Sequence, residues 1–332
     1  MNRVAAAAVL AVVALIVAAC SSASSSSDSS EAAQPHADGA RASHDVHGDS
    51  HGDSAGDSAG DSAGDSPVDQ GRPVGNPNGA FRYDGAMFAT RCAYSHSAPD
   101  DPIVAPGRPG ESHLHDFFGN PAVDADSTAR ELVGVRETTC DIVDDTASYW
   151  SPALIGPAGP IPPAFADAYY RVAPGVPAAT VRPYPVGLAM IGGDAHAEAP
   201  QPTSIAGWGC GHAPAVASDF PTCPPERLLT LRVTFPDCWD GEHLDSITHK
   251  DHVVYSTADG CPEGFPVAFS QLTLLVQYPV HGESAGLSIA AGPARAAHAD
   301  FLNAWQPDAL ATNVRACLAG GVVCSVPTTS GS

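Results

Sequence analysis

The chain has 332 residues, of which 15 are Lys or Arg and 37 are Asp or Glu, for a formal net charge of −22. That balance argues against nucleic acid and anionic membrane surfaces as partners. The length suits one large domain or two small ones, provided that enough of it folds.

The first elements concern export. Arg3 precedes an unbroken apolar run, Val4 to Ala19, closed by Val17-Ala18-Ala19-Cys20. An ordinary secretory signal ends in a small-residue site without the cysteine. This pattern resembles a bacterial lipobox: residues 1–19 form a lipoprotein signal peptide, and Cys20 carries the lipid as first residue of the mature chain. The competing readings are a plain signal peptide with an incidental cysteine, or a short anchor, for which 16 apolar residues are marginal. The expected location is therefore extracytoplasmic, with the chain held to the membrane by acyl chains on Cys20.

Residues 20–75 read as a tether. They are Ser/Gly/Asp-rich, and residues 47–66 repeat HGDS, HGDS, AGDS, AGDS, AGDS. Such a stretch buries too little apolar surface to offset chain entropy and is expected to be disordered. As a flexible coil it spans roughly 40 Å. His36, His44, His47 and His51 within it offer at most weak metal binding. From residue 71 onward the chain carries 27 acidic and 13 basic side chains, a formal −14, and Lys250 is the only lysine.

Residues 76–326 read as one domain, followed by a disordered tail at 327–332. Strands are predicted at Leu228–Phe235, Val253–Thr257, Phe269–Val280 and Leu287–Ala290, separated by turn residues. Helices are predicted at Ala297–Ala304 and Gln306–Leu318, the latter with Asp308 near its start and Gly320-Gly321 after its end. This pattern indicates a mainly β, antiparallel sandwich or barrel-like fold, loop-rich, with few short helices. Eight cysteines remain after Cys20: Cys92, Cys140, Cys210, Cys223, Cys238, Cys261, Cys317 and Cys324. In an oxidising compartment they are expected to form disulfides. Eight cysteines allow 105 pairings; nearest-neighbour pairing is the expectation, with Cys317–Cys324 the most secure.

Three segments concentrate side chains that carry chemistry. The first, His113–Asn120 (HLHDFFGN), puts His113 and His115 on one side of an extended chain, beside Asp116. The second, residues 237–252, follows a strand and holds His243, His249 and His252 with several carboxylates. The third is His298-Ala299-Asp300-Phe301. These segments, with Tyr149-Trp150-x-Pro152-x-Leu154, Gly187-Leu188-x-Met190-Ile191-x-Gly193, Trp208-x-Cys210, FPDCWDGEHLDS at 235–246, His249-x-x-His252 and HADFLNAW at 298–305, resemble the DUF1996 family of secreted actinobacterial and fungal proteins. The likeness runs in order from about residue 80 to residue 317. The family name denotes a domain of unknown function, so the resemblance implies no reaction. One departure is Ala189, where the family pattern leads us to expect a basic residue.

Three readings compete. In the first, His113 and His115 converge with His252 and His298 on a zinc or copper ion, completed or supported by His249 or Asp116, for metal-assisted chemistry. In the second, a histidine and Tyr169, Tyr170 or a carboxylate perform metal-free acid/base chemistry on a glycan. The third is not catalytic: Trp150, Trp208, Trp239, Trp305 and tyrosines form a surface for cell-wall or environmental polysaccharide. Against all three stands structural use of the same groups, since loop histidines cap backbone and aspartates close turns.

The anchoring expectation has a direct check: Cys20→Ser should move the protein from the membrane fraction to the soluble fraction. A variant that stays fully membrane-bound contradicts lipidation at Cys20.

Overall fold

The computed structural model describes residues 85–212 and 217–325; Cys20, the tether to residue 75 and the tail at 327–332 lie outside the described residues. In chain order the elements are β1 (Met87–Ala98), β2 (His115–Gly119), α1 (Ala129–Val135), β3 (Ser148–Pro152), β4 (Leu154–Gly156), β5 (Gly159–Ile161), β6 (Phe165–Arg171), β7 (Ala189–Gly193), β8 (Ala206–Cys210), β9 (Leu229–Thr234), β10 (Cys238–Trp239), β11 (Val253–Val254), β12 (Val267–Ala268), β13 (Gln271–Tyr278), β14 (Ser288–Ile289), β15 (His298–Leu302) and α2 (Pro307–Asn313). Among these residues no helix is long and apolar enough to cross a membrane.

Nine strands pair antiparallel in the order β7-β15-β3-β2-β1-β6-β13-β9-β8 and curl into a nearly closed barrel-like sheet. The two ends of that sheet approach each other at glycines. A Cβ on Gly192 would lie 2.7 Å from Val233 Cγ1, and one on Gly193 would lie 3.2 Å from the Ala206 Cβ. Any larger side chain at position 192 pushes the seam open.

Alternation along each strand then sorts the side chains. The inward face gathers one large core that includes Phe88, Phe118, Tyr149, Tyr170, Met190, Trp208, Leu231, Leu274, Phe301 and Trp305. Each such side chain contributes about 1.5–3 kcal/mol by leaving water. Some of the polar atoms inside pair with one another: Tyr149 Oη donates to Asp145 at 2.8 Å, and Trp305 Nε1 donates to the Tyr170 hydroxyl at 3.0 Å.

The outward face of β7, β15, β3 and β2 is covered too. Phe117, Trp150, Ile191 and Leu302 from the strands pack with Ile103 from the β1–β2 loop, Val123, and Ala129 and Leu132 of α1 in a second, smaller core. Helix α1 is short, so its ends are secured locally. Thr128 and Glu131 form a capping box at the start, and Arg136 ends it in the left-handed region at φ 55°.

The cysteines pair as nearest neighbours, Cys92–Cys140, Cys210–Cys223, Cys238–Cys261 and Cys317–Cys324. The strands predicted at Leu228–Phe235 and Phe269–Val280 are β9 and β13, and the second predicted helix is α2 running on into a wide turn at Val314–Ala319. The predicted Val253–Thr257 and Leu287–Ala290 strands shrink to two-residue pairings. The predicted helix at Ala297–Ala304 is instead β15. Its alanines favour a helix in isolation, but Ala299 and Phe301 face the inner core while Asp300 and Leu302 pair with Trp150 and Ser148 of β3. Tertiary pairing overrides local propensity there.

Two glycine substitutions test this account. Gly192→Val should destabilise the domain by about 1–3 kcal/mol through overpacking at the seam. Gly134→Ala, at an exposed position of α1 with nothing within 4 Å of the new Cβ, should stabilise it by roughly 0.5–1 kcal/mol. Denaturant midpoints of the two variants, moving in opposite directions, are the check.

Candidate metal centre

β3 lies between β2 and β15, and this places two histidine segments side by side on the outward face. His115 opposes Pro152, while Asp300 opposes Trp150 on the other side of β3 and Ile191 on β7. Outward alternation on β15 gives His298 and Asp300; on β2 it gives His115 and Phe117. His113 enters from the chain just before β2. Its ring centroid is 4.1 Å from that of His115 and 5.2 Å from that of His298, and the latter two are 6.1 Å apart. One ligand atom from each of His113, His115 and His298 falls within 4.8 Å of the others. Asp101, His115 and Asp300 form a second such group that shares His115.

The hydrogen bonds set the tautomers. His115 Nδ1 lies 2.9 Å from the Asp100 carbonyl oxygen, and His298 Nδ1 lies 2.8 Å from that of Ala296. A carbonyl only accepts, so both rings carry their proton on Nδ1 and present a bare Nε2 lone pair. The Nε2 atoms of His113 and His115 and Oδ2 of Asp300 are buried and have no hydrogen-bond partner among the described residues.

Burial governs the charges. Desolvation pushes His115 well below the usual histidine range, and His113 and His298 add to it. His298 is pushed down to about 3 by desolvation, against the Ala296 hydrogen bond, with His113 and Lys250 lowering it further. His113, only partly buried, is lowered by desolvation and by His196. Asp300 is pushed well above the carboxylate range by desolvation and then by Asp101, with Lys250 opposing. The 3.9 Å approach of His115 Nε2 to Asp300 Oδ2 is therefore not an ion pair, because burial discharges both groups. Three neutral imidazoles, from His113, His115 and His298, form a donor set suited to a divalent transition ion, and Asp300 approaches the His115 nitrogen from the second group. The carbonyls behind His115 and His298 supply the outer support such ligands usually have.

His252 is not part of this set. It is buried, with Nε2 bonded to the Ala189 carbonyl at 2.7 Å and Nδ1 3.2 Å from Ser246 Oγ. Together with Lys250 Nζ on the Gly193 carbonyl and the Ala189 N–H on Leu244, it covers the free edge of β7, which would otherwise expose unpaired backbone. His249 sits in a turn at φ 59°, bonded to the Asp245 carboxylate at 2.9 Å. Burial raises the Asp101 carboxyl, and His249 is only one of the smaller influences opposing that rise; His249 is not among the grouped ligands. Asp116 points the opposite way from His115, into the barrel, where Ser97 Oγ donates to it at 2.6 Å; burial raises its carboxyl to about 6 against that bond.

The aromatic residues expected to form a polysaccharide surface are also placed elsewhere. Trp150, Trp208, Trp305 and Tyr170 are fully buried, and Tyr169 nearly so. Trp239 stacks on Phe269 and donates to the His243 carbonyl. Ala189 is a buried part of the outer core. The sequence reading missed two residues, Asp300 and Asp101. The i, i+2 spacing of His298 and Asp300 would have indicated the first, had the segment been read as a strand. Asp101 has no sequence signal: it reaches the site because its Oδ1 accepts from the N–H groups of Ile103 and Val104, which fixes the loop.

Fold and site together define an antiparallel, disulfide-stapled, barrel-like β domain with a histidine cluster on its covered outer face. A family model described as "Domain of unknown function (DUF1996)" matches residues 101–305, more than half of the chain and every residue of the cluster; the chain belongs to this family. No curated protein and no solved structure matches it.

A pH series tests the electrostatics. A buried neutral imidazole binds its proton more weakly folded than unfolded. Its contribution is intact above the ordinary value of 6.5 and is lost as pH falls toward the folded value, about 3 for His298. In chelator-treated protein, His298→Gln should lose less stability than wild type between pH 7 and pH 4. Parallel stability curves for the two proteins would contradict this.

Proposed function

We propose that this chain is an acyl-anchored, extracytoplasmic protein that binds one zinc or copper ion through His113, His115 and His298 and uses it for metal-assisted chemistry at the cell surface. The observation that carries the reading is the pair of backbone carbonyls that fix His115 and His298 as Nδ1–H tautomers and leave Nε2 as the free nitrogen, in rings that each bring a ligand atom within 4.8 Å of one on His113. A ring serving only to cap backbone or fill a core gains nothing from a buried, unpartnered Nε2 such as that of His115, which costs about 1–3 kcal/mol.

The lipobox-like Val17-Ala18-Ala19-Cys20 and the four disulfides support the location. An anchor at Cys20 keeps the chain at the membrane surface, where envelope polysaccharides are the ligands within reach. A bound ion would supply Lewis acidity or, for copper, redox capacity. The protein's part is to hold the imidazoles deprotonated, to exclude bulk water with the β1–β2 loop and α1, and to admit a ligand beside the partly exposed His113.

Metal analysis of purified full-length protein tests this. About one zinc or copper per chain is expected, together with a rise in Tm on adding the ion. At free ion a hundredfold above Kd the stabilisation is about 2.7 kcal/mol, or roughly 5–10 °C for a domain of this size. His115→Ala and His298→Ala should abolish both effects, while His281→Ala, whose ring bonds the Arg227 carbonyl, should keep them. The tether histidines are common to all four proteins. A wild type that retains no ion and gains no stability from added zinc or copper overturns the reading.

A further inference from the structure

We propose that Asp300 is the fourth ligand of this centre, making it a three-nitrogen, one-oxygen site for a divalent ion rather than for cuprous copper. The inference rests on the metal reading above and adds to it the ligand that sets the charge and selectivity.

Two acceptors approach each other in the buried site. Asp300 Oδ2 is 3.9 Å from His115 Nε2. The His115 proton is on Nδ1, held by the Asp100 carbonyl, so the nitrogen facing Asp300 offers a lone pair. Neither atom has another partner among the described residues, and Asp300 is only 1% exposed. Two buried lone pairs aimed at one another repel unless something positive lies between them. A proton on Asp300 does not bridge 3.9 Å, well beyond hydrogen-bond reach. A metal ion does: two donors bound at about 2.0–2.1 Å to one ion lie roughly 3.3 Å apart at the tetrahedral angle, so a shift of about half an ångström brings this pair onto one ion; Asp300 groups with His115 and Asp101 and not with His113 and His298, so its side chain moves further to join all three imidazoles.

Among the described residues no cation takes that place. The nearest ammonium, Lys250, gives its Nζ to the Gly193 carbonyl. The nearest other charged group with a defined effect on Asp300 is a second carboxylate, Asp101, which deepens the negative potential. Burial favours the protonated acid, and a bound cation supplies the charge that lets Asp300 give up its proton and act as a ligand. β15 delivers Asp300 and His298 from one face of one strand, two residues apart, so a single backbone segment sets both. Hard carboxylate oxygen suits Zn(II) or Cu(II), whereas cuprous copper is selected by soft thiolate and thioether ligands.

The test uses full-length protein and two substitutions. Asp300→Asn keeps the shape and removes the charge. Its Zn(II) affinity, read by chelator competition, should fall by more than the roughly 10–100-fold typical of losing an outer-shell partner, while its cuprous affinity, measured under ascorbate, changes far less. Asp300→Cys loaded with Co(II) should show a near-ultraviolet thiolate-to-cobalt charge-transfer band that wild type lacks. That band reports ligation at position 300 directly and does not depend on the stability of the asparagine variant. A wild type that binds ions, with unchanged Zn(II) affinity in Asp300→Asn and no band in Asp300→Cys, overturns the assignment of Asp300 alone. A wild type that takes up none of Zn(II), Co(II) and copper overturns the metal reading and this inference with it.

Discussion

The pairing of β15 between β3 and β7 is the constraint on which the site depends. It brings a strand from near the end of the chain beside β2, from near the start of the domain, with only β3 between them. Because alternate residues on a strand face opposite ways, this one pairing sends Ala299 and Phe301 into the barrel and His298 and Asp300 out beside His115. A slip of one residue would exchange the two sets. The inner core of Phe301, Tyr149 and Phe118 therefore holds the register that the outer polar cluster requires. Packing on one face positions the chemistry on the other.

The outward face would be an unsuitable place for such a cluster if water reached it. Helix α1 and the β1–β2 loop exclude water, and burial is what turns ordinary histidines into neutral ones with bare lone pairs. The same burial explains the supporting loop at residues 240–252. Its lysine and its last histidine close the free edge of β7, completing the barrel margin next to the site without joining it. The contrast between His252, with both nitrogens bonded, and His115, with one nitrogen left bare, separates a structural histidine from a candidate ligand in the same neighbourhood.

The parts of this arrangement that are local in the chain were readable from the sequence. The cysteines close pairs with their neighbours. β9 and β13 announce themselves by long runs of β-branched and aliphatic residues, and His113-x-His115 by its two-residue spacing. The parts that depend on long-range pairing were not. β15 reads as helix because alanine is a good helix former, and only its neighbours β3 and β7 make it a strand; with that misreading Asp300 lost its visible relation to His298. Tryptophans 150, 208 and 305 look like a binding surface in a sequence rich in polar loops, yet a two-layered barrel has two cores to fill and uses them there. Histidine count in the 237–252 loop suggested ligands, but Asp240, Asp245 and the β7 edge claim those rings first.

The claim at the centre is that His115 and His298 are fixed as Nδ1–H tautomers with Nε2 free for an ion. Long-range proton–nitrogen correlation NMR on histidine-labelled, chelator-treated protein at neutral pH measures this directly. The account predicts that both rings show the Nδ1–H pattern before any addition, and that stoichiometric Zn(II) moves their Nε2 resonances while His252 and His281 stay in place. Nε2–H or fully protonated rings at His115 and His298, or Nε2 signals indifferent to zinc, would contradict it.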